Sequence, residues 1–252
     1  MKIVRFQSGK RAEYGILVGD VIDGIEGMPY RQFRYSNHHY NLGDVNILPP
    51  CTPSKIVALG LNYYSHAKEV NMPIPAEPLI FMKPSTSLIG TGDNIIYPDA
   101  SHRVDYEGEL GIVIRSRACR VPAEKALNYV LGYTCFNDVT ARDLQGRDQQ
   151  WTRAKGFDTF AAAGPCIETE LDPGKAHLET YLNSELKQKV NTSDLIFPVE
   201  RIISFISGVM TLLPGDIIAT GTPSGIGPMQ PGDTVAVKIA GIGTLTNGVI
   251  KM

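Results

Sequence analysis

The stretch DYEGELGIVI, Asp105 to Ile114, decides how this chain is read. Its second half, Leu110 to Ile114, is apolar almost without a break, the pattern of a strand covered on both faces. Its first half carries Glu107 and Glu109. Residues two apart in a strand project to the same side, so the two carboxylates are neighbours on one face. On spacing alone, Glu-x-Glu suits a solvated strand edge or loop. The inward alternative requires a cation between them. Neighbouring carboxylates repel, and an unpaired buried ion costs several kcal/mol.

Outward from this stretch, the composition is that of a soluble globular protein: of 252 residues, 43% are hydrophobic and 20% charged. The net charge of −2, with no basic run, argues against binding nucleic acid through phosphate neutralisation. The longest apolar stretch, around Ile202 to Leu213, is too short and too polar to span a membrane. The N-terminus has no apolar core of signal-peptide length, so a cytoplasmic location is expected. The four cysteines, Cys51, Cys119, Cys135 and Cys166, form no Cys-x-x-Cys pair. They read as small core residues of a reducing compartment, and zinc is not expected.

Short apolar runs separated by Gly and Asp, Ile3 to Phe6, Tyr14 to Val18 and Val21 to Ile25, predict strands. The proline-rich Leu48 to Lys55, LPPCTPSK, then predicts a boundary. A small N-terminal domain is expected over 1–50 and a larger one over 51–252. Beyond the boundary, Ile56 to Gly60 reads as a strand. Asn62 is placed to cap a short helix, Tyr63 to Val70, stopped by prolines 73, 75 and 78. Pro122 to Tyr129 and Val199 to Leu212 read as helices, and Val130 to Phe136 as a strand ending at Asn137-Asp138. The glycines of Gly221 to Gly227 lack the Gly-Lys-Ser/Thr ending of a phosphate loop and read as turns. With no regular strand–helix alternation, the pattern favours a strand-rich α+β roll over a doubly wound sheet.

Six stretches, in order, resemble the fumarylacetoacetate hydrolase family: GLNYYSHAKE (60–69), FMKPSTSLIG (81–90), DYEGELGIVI (105–114), NDVTARDLQ (137–145), WTRAKGFDTF (151–160) and PGDIIATGTPSGIGPMQPGD (214–233). The resemblance implies a mixed β-roll and a homodimer, and makes 1–50 an accessory domain and 51–252 the catalytic one. It also implies one divalent metal held by Glu107, Glu109 and Asp138. Three oxygen donors without Cys or His favour Mg²⁺ or Mn²⁺. His66 and Glu69, three apart on a short helix, match the His–Glu dyad of members that cleave C–C bonds. A carboxylate beside the imidazole favours and orients its protonated form, and the pair can draw a proton from water. Gly60 and the downstream prolines suggest a helix that orders when substrate binds.

Lys155 matches the family's active-site lysine, whose ammonium would stabilise developing negative charge. Arg142 and Gln145 are candidates to hold the substrate's carboxylate or oxo group. Arg142 alternatively supports the metal carboxylates from behind. Thr222 matches a substrate-contacting position, and Thr220 is a weaker candidate. The chain departs from the family at Asn183-Ser184-Glu185, where many members have Asn-Gly-Glu, and at Ala161 to Ala163, where many carry a proline.

The chemistry this implies is C–C cleavage of a small 2-oxo acid, either acylpyruvate hydrolysis or oxaloacetate-type decarboxylation, through a stabilised enolate. The runner-up is an isomerase or tautomerase of 2-hydroxymuconate-type dicarboxylates of aromatic catabolism. A third reading, from a different class, is a catalytically silent protein that binds a metal or a 2-oxo acid.

Overall fold

The opening stretch does form a strand, Gly108–Ile114, with all seven residues buried. It pairs antiparallel with Val130–Asp138 on one side and Ile217–Ala219 on the other, which satisfies its backbone in both directions. Alternation sends Leu110, Ile112 and Ile114 into one apolar cluster and Val113 into another. The first cluster is capped by the helix Val199–Val209, which buries Ile202, Ile203 and Ile206. Burial on both faces is what the unbroken apolar run predicts.

The computed structural model describes residues 1–251. Its largest sheet has twelve strands. Along the main path they run Arg34–Asn41, Val21–Glu26, Arg11–Val18, Lys2–Ser8, Ala161–Glu168, Val130–Asp138, Gly108–Ile114, Ile217–Ala219, Ile56–Leu59 and Ile80–Lys83. Most neighbours are antiparallel, but Ile217–Ala219 and Ile56–Leu59 run parallel, so the sheet is mixed. A five-stranded sheet, from Glu185–Asn191 to Asn94–Ile96, and a three-stranded one complete the roll. The strand-rich α+β expectation is correct. The first fifty residues supply a meander that continues the large sheet, because Lys2–Ser8 pairs with Ala161–Glu168. No helix among the described residues is long and apolar enough to cross a membrane.

Several local expectations need correction. Glu107 lies in a break between Val104–Tyr106 and Gly108–Ile114, which belong to different sheets, rather than within one strand. Asn62 does not cap the short helix, which spans Tyr64–Glu69 with Tyr63 at its N-cap. Its buried amide instead ties two loops together, accepting from Phe197 N–H and donating to the carbonyls of Phe197 and Thr220. The carboxylate of Asp194, distant in sequence, takes the orphan N–H of Ser65. The helix is thus tied to a distant segment at its first turn. The segment after Pro122 is a 3₁₀ helix, Ala123–Tyr129. Cys51, Cys135 and Cys166 are buried as expected, but Cys119 is exposed.

Two strands escape the periodicity. Arg34–Asn41, RYSNHHYN, is mostly exposed and shows no apolar alternation. Ala161–Glu168 is built from Ala, Gly and Pro, residues poor in strand propensity.

Candidate active site

The ladder assembles an acidic trio. In register, Gly108 faces Asn137, and the Asp138 N–H donates to the Glu107 carbonyl at 2.9 Å. Glu107 and Asp138 are therefore cross-strand neighbours, and Glu109 follows two residues on. All three are buried, and they offer one oxygen each within 4.8 Å of one another. The inward reading of Glu-x-Glu is the correct one.

Three cations face the trio. Lys155 Nζ donates to Glu107 Oε2 at 2.8 Å and to Asp138 Oδ2 at 2.6 Å. Lys83 Nζ donates to Asp138 Oδ1 at 2.5 Å and to the Val139 carbonyl at 3.1 Å. Arg142 Nη2 donates to Glu107 Oε1, while its Nε donates to Asp105 Oδ2 at 2.9 Å. Burial pushes the Glu107 carboxyl up, but the charges of Lys155 and Arg142 overcome this and hold it down at about 2. Burial would lower the Lys155 ammonium, but Asp138 and Glu107 outweigh it and the net direction is up. For Lys83, burial wins over Asp138 and the shift is downward.

Glu109 is different. One oxygen accepts the Gly221 N–H at 2.7 Å, and the other, Oε1, is buried without any hydrogen-bond partner. Burial, then the charges of Asp138 and Glu107, push its carboxyl well above the usual range. A buried carboxylate oxygen left unpaired is costly, and here it faces two further carboxylates. A hard divalent cation with oxygen preference would relieve both costs. On this observation the residues fit a metal. Gly221 makes the close approach possible: its φ is +96°, and a Cβ there would meet Asn62 Cβ at 2.9 Å.

His66 Nδ1 and Glu69 Oε2 are 2.7 Å apart, and Glu69 Oε1 accepts the Gly225 N–H at 2.8 Å. The carboxylate is thereby fixed between the helix and the Gly221–Gly227 turns. With Nδ1 bonded to Glu69, Nε2 is the ring nitrogen left for the cavity, as a base requires. Arg142 Nη1 donates to Gln145 Oε1 at 2.6 Å. Since guanidinium has only donors, Gln145 must turn its amide oxygen to Arg142, leaving its NH₂ for a ligand. The Thr222 hydroxyl donates to the Gly108 carbonyl at 3.0 Å and accepts from Gln188 Nε2 at 2.9 Å, so its proton is already committed. The Thr220 hydroxyl donates to the Leu110 carbonyl at 3.0 Å.

His66, Glu107, Arg142, Gln145, Lys155 and Thr222 all line one cavity of about 250 Å³. Glu69 reaches it through His66. The sequence reading did not single out Lys83, Asp105, Asn137 or Gln188. Lys83 had a signal, a lone charge closing the apolar run Ile80-Phe81-Met82. Asp105, fully buried, grips both Arg103 and Arg142. Asn137 accepts the Glu107 N–H through its side-chain oxygen, and Gln188 accepts the Gly108 N–H. Asn137 opens the NDVTARDLQ stretch without a role of its own there, Gln188 lies outside every quoted stretch, and only the fold reveals what the two amides do.

Residues 55–250 match the family model described as the fumarylacetoacetate (FAA) hydrolase C-terminal domain, and residues 1–50 match one described as Rv2993c-like, N-terminal. The crystal structure of a 5-carboxymethyl-2-hydroxymuconate delta-isomerase from Mycobacterium smegmatis superposes with a TM-score of 0.95, at 42% identity over 100% of both chains. Oxaloacetate tautomerase FAHD2B, mitochondrial, of Bos taurus is 41% identical over 82% of this chain and 70% of its own length. A maleylpyruvate hydrolase from Sphingobium sp. SYK-6, in complex with manganese(II) ion and pyruvate, superposes with a TM-score of 0.83 at 30% identity, covering 100% of this chain and 99% of its own.

Proposed function

The chain belongs to the fumarylacetoacetate hydrolase family, a family of enzymes, and from that premise we propose that it cleaves a C–C bond in small 2-oxo acids with the help of a divalent metal. The observation that carries the metal is the orphaned Glu109 Oε1 amid the acidic trio. The observation that carries cleavage is the His66–Glu69 pair, whose free ring nitrogen faces the same cavity as Lys155. The manganese and pyruvate of the maleylpyruvate hydrolase support both the ion and the 2-oxo acid.

Glu107, Glu109 and Asp138 would hold Mg²⁺ or Mn²⁺, which when bound supplies Lewis-acid polarisation of the 2-oxo group. The NH₂ of Gln145 and the remaining donors of Arg142 orient the substrate carboxylate. Lys155 sits where negative charge builds on the oxo oxygen; a preorganised donor there contributes about 3–4 kcal/mol to the transition state. In hydrolysis, His66 Nε2 takes a proton from a water molecule as its oxygen attacks the distal carbonyl of an acylpyruvate. Glu69 orients the imidazolium that forms. The C–C bond breaks, its electron pair stays with the pyruvate portion as an enolate, and proton return from His66 completes pyruvate and a carboxylic acid. Loss of CO₂ from oxaloacetate would leave the same enolate for the same donors.

A second reading, isomerisation or tautomerisation of dicarboxylic 2-oxo acids, has specific support: the relatives named isomerase and tautomerase are more similar in sequence than the hydrolase. It uses an enolate of the intact substrate, stabilised by the same groups, and requires proton transfer between carbon or oxygen atoms without C–C cleavage. Steady-state assays with acylpyruvates, oxaloacetate and muconate-type acids, with Mg²⁺ and with chelator, decide between them. Release of pyruvate dependent on Mg²⁺ is expected. Proton exchange without any cleavage would replace the first reading by the second, and silence on every substrate would leave a binding protein.

A further inference from the structure

The cavity lining is of two chemical kinds. It carries Glu107, Arg142, Gln145 and Lys155, and it also carries Leu61, Val70, Met72, Leu79, Trp151 and Ile226. Phe81 stands at the junction: Lys155 Nζ lies 5.1 Å from its ring centroid, and the Trp151 ring meets it edge-on at 5.2 Å. The apolar wall thus begins where the ammonium ends. Gly60 forms its floor. A Cβ at Gly60 would come within 3.1 Å of both the Trp151 ring and Leu79 Cδ2, so these side chains lie directly on bare backbone.

Among the described residues, the basic side chains that line the cavity are Arg142, Lys155 and His66. The two strong cations of the cavity are already paired, Arg142 with Asp105, Glu107 and Gln145, and Lys155 with Glu107 and Asp138. His66 is paired with Glu69. A second carboxylate on the substrate would be partly dehydrated against the apolar side chains and find no unpaired cation in the lining. An alkyl or aryl chain would instead cover Val70, Met72 and Leu79, which stand 38%, 54% and 48% exposed at the rim.

Building on the 2-oxo acid reading of this site, we propose that the apolar part of the lining is an acyl subsite and that it selects monocarboxylic 2-oxo acids with an apolar tail over dicarboxylic ones. The polar part takes the 2-oxo acid head, and the Gly60–Trp151–Leu79 surface takes the tail.

The test uses the full chain with Mg²⁺ and two ligands of equal carbon number, 2-oxohexanoate and 2-oxoadipate, which differ in a terminal methyl against a terminal carboxylate. Neither can undergo acylpyruvate hydrolysis, so binding by calorimetry is read separately from catalysis. We expect 2-oxohexanoate to bind at least about tenfold more tightly, the scale of discrimination an apolar pocket gives. In Leu79→Arg, a rim substitution, the preference should shrink or reverse as 2-oxoadipate gains a partner. Equal binding, or tighter 2-oxoadipate, in the unaltered chain overturns the proposal. So does a Leu79→Arg variant that changes the sedimentation mass while leaving the ligand ratio unchanged, which would make the rim a contact between copies of the chain. If 2-oxohexanoate is preferred but no 2,4-dioxo acid is cleaved, the subsite stands and the hydrolytic reading falls. If neither ligand binds at millimolar concentration, both fall.

Discussion

The backbone N–H of Gly221 donates to one oxygen of Glu109 at 2.7 Å, and the other oxygen of that carboxylate is buried with no donor at all. The contrast is local and sharp. One oxygen is satisfied by a glycine that alone can approach so closely, and the same carboxylate offers an oxygen within 4.8 Å of oxygens of Glu107 and Asp138.

A cation shared by the three carboxylates, as proposed, would make the trio cooperative in metal binding. Glu107→Ala combined with Glu109→Ala should abolish Mg²⁺ binding by calorimetry. Glu109→Gln alone should weaken it, while raising the thermal stability of chelated protein because a neutral amide replaces a group that burial disfavours when charged. Unchanged Mg²⁺ affinity in the double variant would remove the metal from the site.

The dyad separates two chemistries. His66→Ala should reduce acylpyruvate hydrolysis by about 10²–10⁴-fold, the usual contribution of a positioned base, and leave any isomerisation nearly intact. Glu69→Gln should act in the same direction but less. If His66→Ala hydrolyses at the full rate, water is activated elsewhere.

Acid should find Glu107 in chelated protein. Its carboxyl is held down at about 2 in the fold, because Lys155 and Arg142 overcome the opposing effect of burial, against an ordinary value of 4.5. A depressed folded value means the unfolded chain binds the proton more readily. The stability it contributes is present above the ordinary carboxylate range and is lost as pH falls from there toward about 2. Glu107→Gln should therefore show a shallower loss of stability over that window in denaturant titrations. An identical slope in both proteins would contradict the pairing.

Lys83 is a buried ammonium whose one charged hydrogen-bond partner among the described residues is Asp138. Lys83→Met removes one of two cations from that carboxylate, and breaking a buried pair typically costs about 3–5 kcal/mol. Chemical denaturation of the chelated variant should show a loss of this order, with partial recovery on adding Mg²⁺. Loss below about 1 kcal/mol would mean that Lys155 alone balances Asp138.

The hairpin between His177–Leu182 and Glu185–Asn191 turns through Asn183 and Ser184, both left-handed, with φ of 51° and 68°. Two positive φ angles in a two-residue loop are the mark of the type I′ turn, which favours Asn-Gly. Ser184→Gly should stabilise the protein by about 1 kcal/mol and raise Tm by about 2–4 °C in a chain of this size. Calorimetric melting would detect it, and a lower Tm would show that the serine is not strained.

Much of the site was legible because its residues sit in short contiguous motifs. Glu107, Glu109 and the strand behind them announce themselves through one alternation. His66 and Glu69 do so through a three-residue spacing that matches the family's dyad, and Asp138, Arg142 and Gln145 through one contiguous stretch that runs from a strand end into a short helix. Other parts carry no local signal. The strand Ala161–Glu168 joins the N-terminal meander to the centre of the large sheet, yet its alanines and its Gly-Pro pair read as loop. Asn62 looks like a helix cap because its position suits one. Its amide is instead claimed by Phe197 and Thr220, which the fold brings within reach.

What the order of residues determined by itself was the central strand, since side-chain alternation and apolar continuity are properties of the local chain, while the candidates for the acidic trio came from the motifs the chain shares with the family. What only the tertiary structure decided was how the charges are apportioned. Arg142 pairs with Asp105 and Glu107, Lys83 and Lys155 divide Asp138, and one oxygen of Glu109 is left over. The partners come from different strands and loops, up to 112 residues apart for Glu109 and Gly221. Electrostatic pairing depends on distance and burial, and both are set by packing rather than by spacing along the chain.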